Sequence, residues 1–270
     1  MNFLNIIIVL ALLFFLTKYN LFLGLAAFVV VMIFLIYQNM PVLYRAKGRK
    51  YYMDGDYKNA KKYFKKAVDT GHAKGDIRIE YSYVLLRTGD IDEAEAVVNH
   101  MLAYKIKPEY RNRAIIQRCM CYYKQGNIEE AIEDATALYN EGFRSIMHYG
   151  MLGFFKIIVD PMSPETFDFC KEAYEYADDD RDICDNMLIC YYNRGEYEKA
   201  KEISDKVIET SPKFVEAWYH AAQIAYKLKD YKDALEKLDH IKECRRSFMT
   251  TISEEEIEKL KADIEAKIIK

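Results

Sequence analysis

Residues 121–134 read CYYKQGNIEEAIED and bring two tyrosines, a Gly-Asn step and the carboxylates of Glu129, Glu130, Glu133 and Asp134 into one short stretch. Paired carboxylates beside aromatic rings can work as general acid and base, so this is the first place to look for chemistry. Three other groups compete with it: the six cysteines Cys119, Cys121, Cys170, Cys184, Cys190 and Cys244, the Asp54/Asp56 pair in DGDYKNAKKYF, and the run YADDDRD ending at Asp182. Each has a simpler structural reason. Cys119 and Cys121 stand two apart on a helix and point to different faces, no Cys-x-x-Cys pair exists, and His72, His100, His148, His220 and His240 are scattered, so zinc-type spacing is absent. A calcium loop opening at Asp54 would need glycine at its sixth place and glutamate at its twelfth, where Asn59 and Lys65 stand. The Asp178–Asp182 acids sit where a helix N-terminus favours negative charge. No glycine-rich phosphate loop, nucleophile elbow or metalloprotease helix occurs. The expectation is a protein that is not an enzyme, with no cofactor and no metal site, whose cysteines are buried reduced thiols in a cytosolic setting.

Chemistry needs elements to position it, and the elements here recur. DGDYKNAKKYFKKA, TGDIDEAEAVVNHM, QGNIEEAIEDATAL, RGEYEKAKEISDKV and KDYKDALEKLDHI align on Ala60, Ala94, Ala131, Ala200 and Ala234, with spacings of 34, 37, 69 and 34 residues. The spacing of 69 holds two units, and the intermediate one is found in MHYGMLGFFKIIV and SPETFDFCKEAYEYA, with Ser163 and Pro164 as N-cap and first-turn proline. Five prolines and eleven glycines in 270 residues suit long helices joined by short turns, and no sheet is expected.

The pattern resembles the tetratricopeptide repeat (TPR), a helix-turn-helix unit of about 34 residues. Tyr44, Gly48 and Tyr51 with Ala60, Phe64 and Ala67 carry it in the first copy, and Trp218, Ala222 and Ala225 with Tyr231, Ala234, Leu238 and Ile241 carry it in the last. The resemblance implies an all-α, TPR-type α-solenoid of about six repeats, near residues 41–74, 75–108, 112–145, 146–178 (degenerate), 181–214 and 215–242. A capping helix over 243–270 follows, opened by the box formed by Ser253 and Glu256. The long DPMSP connection marks the fourth copy as the place for a bend.

In this family ligands lie on the concave face lined by first helices. On that register Arg49, Tyr52, Tyr83, Met120, Tyr123, Phe154, Ile189, Tyr192, Tyr219 and Tyr226 are expected to face a groove fit for a protein or peptide, with packing of the same tyrosines as the competing role. Members that clamp a C-terminal carboxylate use Lys and Asn on successive first helices. Here the matching places hold Arg45 and Arg49, Ile79 and Tyr83, Ile116 and Met120, which argues against that subtype.

The N-terminus obeys a different solvent. Lys18 is the only Lys, Arg, Asp or Glu before residue 38, set between the apolar runs NIIIVLALLFFLT and LFLGLAAFVVVMIFLIY. Each run is a little under the roughly 20 residues of one span, and residues 1–40 are expected to form a membrane anchor of two short transmembrane helices. A secretory signal fits less well, because its n-region would carry Lys or Arg. Residues 41–74 hold ten basic residues against three acidic ones, a net +7, while residues 75–270 hold −11 of the chain's total of −3. Arg45, Lys47, Arg49, Lys50, Lys61 and Lys62 are the expected basic patch beside anionic lipid near residues 45–66, and their position puts the repeats on the cytoplasmic side. The Lys/Ile/Tyr/Asn-rich composition points to a bacterial inner membrane, multi-pass. Together these readings describe a membrane-anchored scaffold or adaptor that binds a protein partner. The alternatives are a regulatory subunit of a membrane enzyme and a nucleic-acid-binding helical repeat, the last opposed by the −11.

Overall fold

A computed structural model describes residues 3–268, with side chains from Ile7 onward. Among the described residues every regular element is helical: α1 Phe3–Tyr19, α2 Leu21–Met53, α3 Tyr57–Asp69, α4 Gly75–Thr88, α5 Ile91–Leu102, α6 Pro108–Lys124, α7 Ile128–Asn140, α8 Ile146–Val159, α9 Pro164–Tyr176, α10 Arg181–Asn193, α11 Tyr197–Ile208, α12 Val215–Lys227, α13 Tyr231–His240 and α14 Glu254–Ile268, with one 3-10 turn at Ile241–Glu243. They fall into two compact units, Met1–Val84 and Leu85–Lys270.

In the first unit, α1 packs on α2 across Asn20, whose extended backbone breaks the helix and whose side chain caps α2 by accepting from the Phe22 and Leu23 amides. Gly24 touches Thr17 so closely that a Cβ there would overlap the threonine hydroxyl. The expected anchor of two short spans ending at residue 40 needs correction. α2 runs unbroken for 33 residues, from the apolar segment straight into Tyr44, Gly48 and Tyr51. It is the one described helix long and apolar enough to cross a membrane, its apolar window having mean hydropathy 2.5 and being 6% buried. The multi-pass reading therefore has one long helix for support, with α1 a shorter apolar partner.

Continuity is the surprise, because Pro41 lies inside α2. Proline has no N–H to offer the carbonyl four residues back, which is that of Tyr37. His72 Nε2 stands 3.0 Å from that oxygen, and its ring lies 4.6 Å from the Tyr37 ring, so a side chain from beyond α3 supplies the missing partner. Gly48 then lets α3 come close: a Cβ at 48 would meet the Phe64 ring at 2.8 Å, and Phe64 is 1% exposed.

The second unit stacks helix pairs. Several of its turns use one device, seen at Gln125-Gly126-Asn127, where the amide of Gly126 donates to the Tyr123 carbonyl and that of Asn127 to the Tyr122 carbonyl. This closure of a helix end requires φ near +88° at Gly126, open to glycine without steric cost. In the last pair Lys229 takes the same left-handed place at φ 66°.

α8 has two unlike faces. Toward α6 it presents aromatics, the Tyr123 ring lying 5.3 Å from Phe154 and 5.6 Å from Phe155. Toward α10 it presents Gly150 and Gly153, and the buried Asn186 amide donates to the Gly150 carbonyl at 2.7 Å. α14 closes the stack on Ile257, Leu260 and Ile264, and its N-terminus is capped reciprocally, Ser253 N donating to Glu256 at 2.7 Å and Glu256 N to Ser253 Oγ at 3.2 Å.

Candidate ligand groove

CYYKQGNIEEAIED, the stretch first suspected of chemistry, spans the end of α6, a turn and the start of α7. Asp134 is paired with Arg118 at 2.7 Å, while Glu129 and Glu130 lie in the first turn of α7. Among the described residues no three His, Cys, Asp or Glu side chains are placed to hold a metal ion. Cys119, Cys121, Cys170, Cys184 and Cys190 are buried, and burial pushes the Cys121 thiol up to about 12 and that of Cys184 to about 11, so neither is a thiolate at neutral pH.

Within the first unit, Tyr52 and Tyr83 are brought together with rings 6.1 Å apart. Arg49 is committed elsewhere, its Nε donating to Glu80 at 2.8 Å, and Arg45 binds both Glu80 and Asp76. Burial alone would push the Glu80 carboxyl up, but the hydrogen bonds from Arg45 and Arg49 outweigh it and hold the group below its usual range. The expected basic patch is thus divided. Arg45 and Arg49 neutralise acids of α4, and Lys47 lies 5.6 Å over the Tyr63 ring.

Within the second unit the residues expected to line a groove stand on the first helices α6, α8, α10 and α12. Met120, Tyr123 and Phe154 join one apolar cluster, and Ile189 and Tyr192 join the next. Tyr192 has its phenol pushed up to about 12 by burial and by its neighbours Tyr197, Tyr219 and Tyr226. Tyr219 is 7% exposed and accepts from Gln223 at 3.2 Å, so packing claims most of it, while Tyr226 keeps an open face.

Sequence reasoning passed over the charged floor. Asp182, Asp185, Glu216 and His220 come from the N-terminal halves of α10 and α12, and Glu216 lies near enough across the groove for its charge to act on Tyr123 and Lys124 of α6. His220 Nδ1 stands 2.7 Å from Asp185. Burial pulls its imidazolium down, but Asp185 and Glu216 outweigh that and raise it above the ordinary value. Asp182 is exposed at the surface, yet protein atoms around its carboxyl desolvate it, and this, followed by the charges of Asp180, Asp185 and Glu216, lifts the group to about 6. The only sequence signal was the acidic run itself.

The sign of the Asp182 shift gives a test. A carboxyl lifted from its usual 3.8 to about 6 on folding binds its proton more tightly in the folded chain. Stability from this group is full below about pH 4, falls as pH rises to 6, and stays low above it. Asp182→Asn should therefore raise the thermal midpoint at pH 7.5 by about 2 °C, with solvent screening keeping the gain under about 1 kcal/mol, and leave it unchanged at pH 4. Equal shifts at both pH values in a melt followed by circular dichroism would contradict the crowded-floor reading.

Two segments match family patterns, residues 51–112 that of "Tetratricopeptide repeat" and residues 171–241 that of "Anaphase-promoting complex, cyclosome, subunit 3". The chain is also similar to a solved tetratricopeptide repeat protein from Parabacteroides merdae, with TM-score 0.57 and 15% identity over 86% of this chain and 88% of that one. The fold is that of tetratricopeptide-repeat proteins. Two further solved structures share it: the Pseudomonas aeruginosa protein pilF (TM-score 0.59, 15% identity, 86% of this chain and 99% of that one) and the APC/C hetero-tetramer Cut9-Hcn1 (TM-score 0.66, 15% identity, 86% and 46%). No curated protein matches the sequence. At this identity the TPR likeness speaks to fold, and function must be argued from the groove.

Proposed function

We propose that the protein is a membrane-anchored scaffold whose repeats bind a protein or peptide partner on the cytoplasmic face. The binding part is supported by Tyr123, Phe154, Ile189, Tyr192 and Tyr226, which stand on first helices of the second unit and are each only partly buried. Rigid aromatic rings bury much area at small entropy cost, and fixed charges beside them set register and selectivity.

The anchoring part is supported by α2, whose apolar half exposes Val29, Val30, Ile33 and Phe34, uncovered among the described residues. Water-exposed rows of this kind are costly, and lipid removes the cost at about 25 cal/mol per Å². The +7 of residues 41–74 follows that segment, so the C-terminal part faces the cytoplasm whether α1 spans or lies in the interface.

A photoreactive amino acid at Tyr192 of the full chain in cells should capture one recurring protein, while the same group at Tyr104, 64% exposed and away from the groove residues, should not. Equal capture at both positions, or capture at neither, would remove the groove from the function.

A further inference from the structure

Between the 3-10 turn and α14 the chain runs Cys-Arg-Arg-Ser-Phe-Met-Thr-Thr-Ile over residues 244–252 and meets α12 at Glu216 and α6 at Lys124. It is held at one end by Arg245 N donating to the Lys213 carbonyl at 2.9 Å. At the other, Thr251 donates from its amide at 2.7 Å and from its hydroxyl at 3.1 Å to Oε1 of Glu216. Between them the segment folds on itself, Ser247 N donating to Thr250 Oγ1 and Met249 N to Ser247 Oγ, which presents Phe248 at the tip.

Phe248 reaches across to α6 and to the turn before α5. Lys124 Nζ lies 5.3 Å from its ring centroid, and equally 5.3 Å from that of Tyr123, so the ammonium sits between two aromatic faces. The ring also rests on Gly89, where a Cβ would stand 3.0 Å from Phe248 Cδ2. A glycine at that turn thus leaves the seat for an aromatic ring. Burial pulls the Lys124 ammonium down, consistent with a cation enclosed by the segment and the groove wall.

The contacts of this segment describe a ligand. We propose that the groove takes a peptide with an aromatic anchor seated between Gly89 and Lys124 and a backbone N–H donated to Glu216, and that residues 245–252 hold both positions until such a peptide displaces them. A tethered segment competes at an effective concentration of order millimolar, so one whose own intrinsic dissociation constant is about 100 µM weakens any competing ligand by about tenfold. This rests on the groove being the binding face.

The test uses a fluorescein-labelled peptide, Arg-Arg-Ser-Phe-Met-Thr-Thr-Ile, titrated by anisotropy against the full chain in detergent. Phe248→Ala frees the seat and should bind the peptide about tenfold more tightly than the unaltered chain, and the same peptide with alanine for phenylalanine should not bind. On the unaltered chain, which avoids any folding defect of the variant, saturating peptide should speed hydrogen exchange at the Thr251 amide several-fold. Equal affinity for both proteins, binding of the alanine peptide, or an unchanged Thr251 amide would overturn the proposal. If Tyr192 still captures a partner while the peptide fails, displacement falls and the binding groove stands.

Discussion

Gly153→Leu should lower the unfolding free energy of the second unit by about 3 kcal/mol and its thermal midpoint by about 10 °C. An ideal Cβ at residue 153 stands 2.8 Å from Nδ2 of Asn186 and 3.5 Å from Sγ of Cys170. The first neighbour is the end of an amide that could swing, but swinging breaks its 2.7 Å bond to the Gly150 carbonyl and strands a group 5% exposed. A stranded buried amide costs about 1–3 kcal/mol, and forcing a leucine into an already close helix contact costs about as much again. Gly153→Ala should cost about half. Met147→Leu on the same helix, at a residue 60% exposed, should fall within about 0.5 kcal/mol of the parent. Urea unfolding followed by circular dichroism checks all three, and a Gly153→Leu loss below 1 kcal/mol would mean that α8 and α10 are not in this contact.

Replacing Val30 and Ile33 together by arginine should release the protein from membranes. Both side chains belong to the apolar half of α2, exposed at 65% and 62%, so no packing inside the chain is lost. Arginine near the centre of a spanning helix costs about 2.5–3.5 kcal/mol by insertion measurements, and two together cost about 6. The expected outcome is a shift from the carbonate-resistant membrane pellet to the supernatant with helix content retained, while Val30→Leu with Ile33→Leu stays in the pellet. A double-arginine variant that still resists carbonate would sink the anchor.

Periodicity announced most of the helices. Small residues recurring with aromatics at 34-residue spacing can be satisfied only by stacked helix pairs, because neither helix buries its stripe alone. The close contact of Gly48 with Phe64, the closure at Gly126 and the Ser253/Glu256 cap are local consequences of residue type, so they were legible without coordinates. The end of the anchor was not. Pro41 beside a change from apolar to basic reads as a boundary, and only His72, 31 residues on, reveals that the Tyr37 carbonyl is satisfied and the helix continues.

The groove divides the same way. Its tyrosines could be placed from register, since one face of each first helix repeats. Which of them pack and which stay open depended on neighbours: Tyr219 is closed over, while Tyr192 and Tyr226 keep open faces. Asp182, which looked like ordinary helix-start acid, gains its raised carboxyl first from desolvation and then from Asp180, Asp185 and, on another helix, Glu216, and Phe248 belongs to a connecting segment with no repeat signature at all. Sequence by itself determined the helix pairs and the apolar leader, because those follow from short-range spacing and from water's exclusion of apolar surface. That Phe248 meets Lys124 and Gly89 was decided by the tertiary structure, because folding brings residues more than a hundred positions apart into contact.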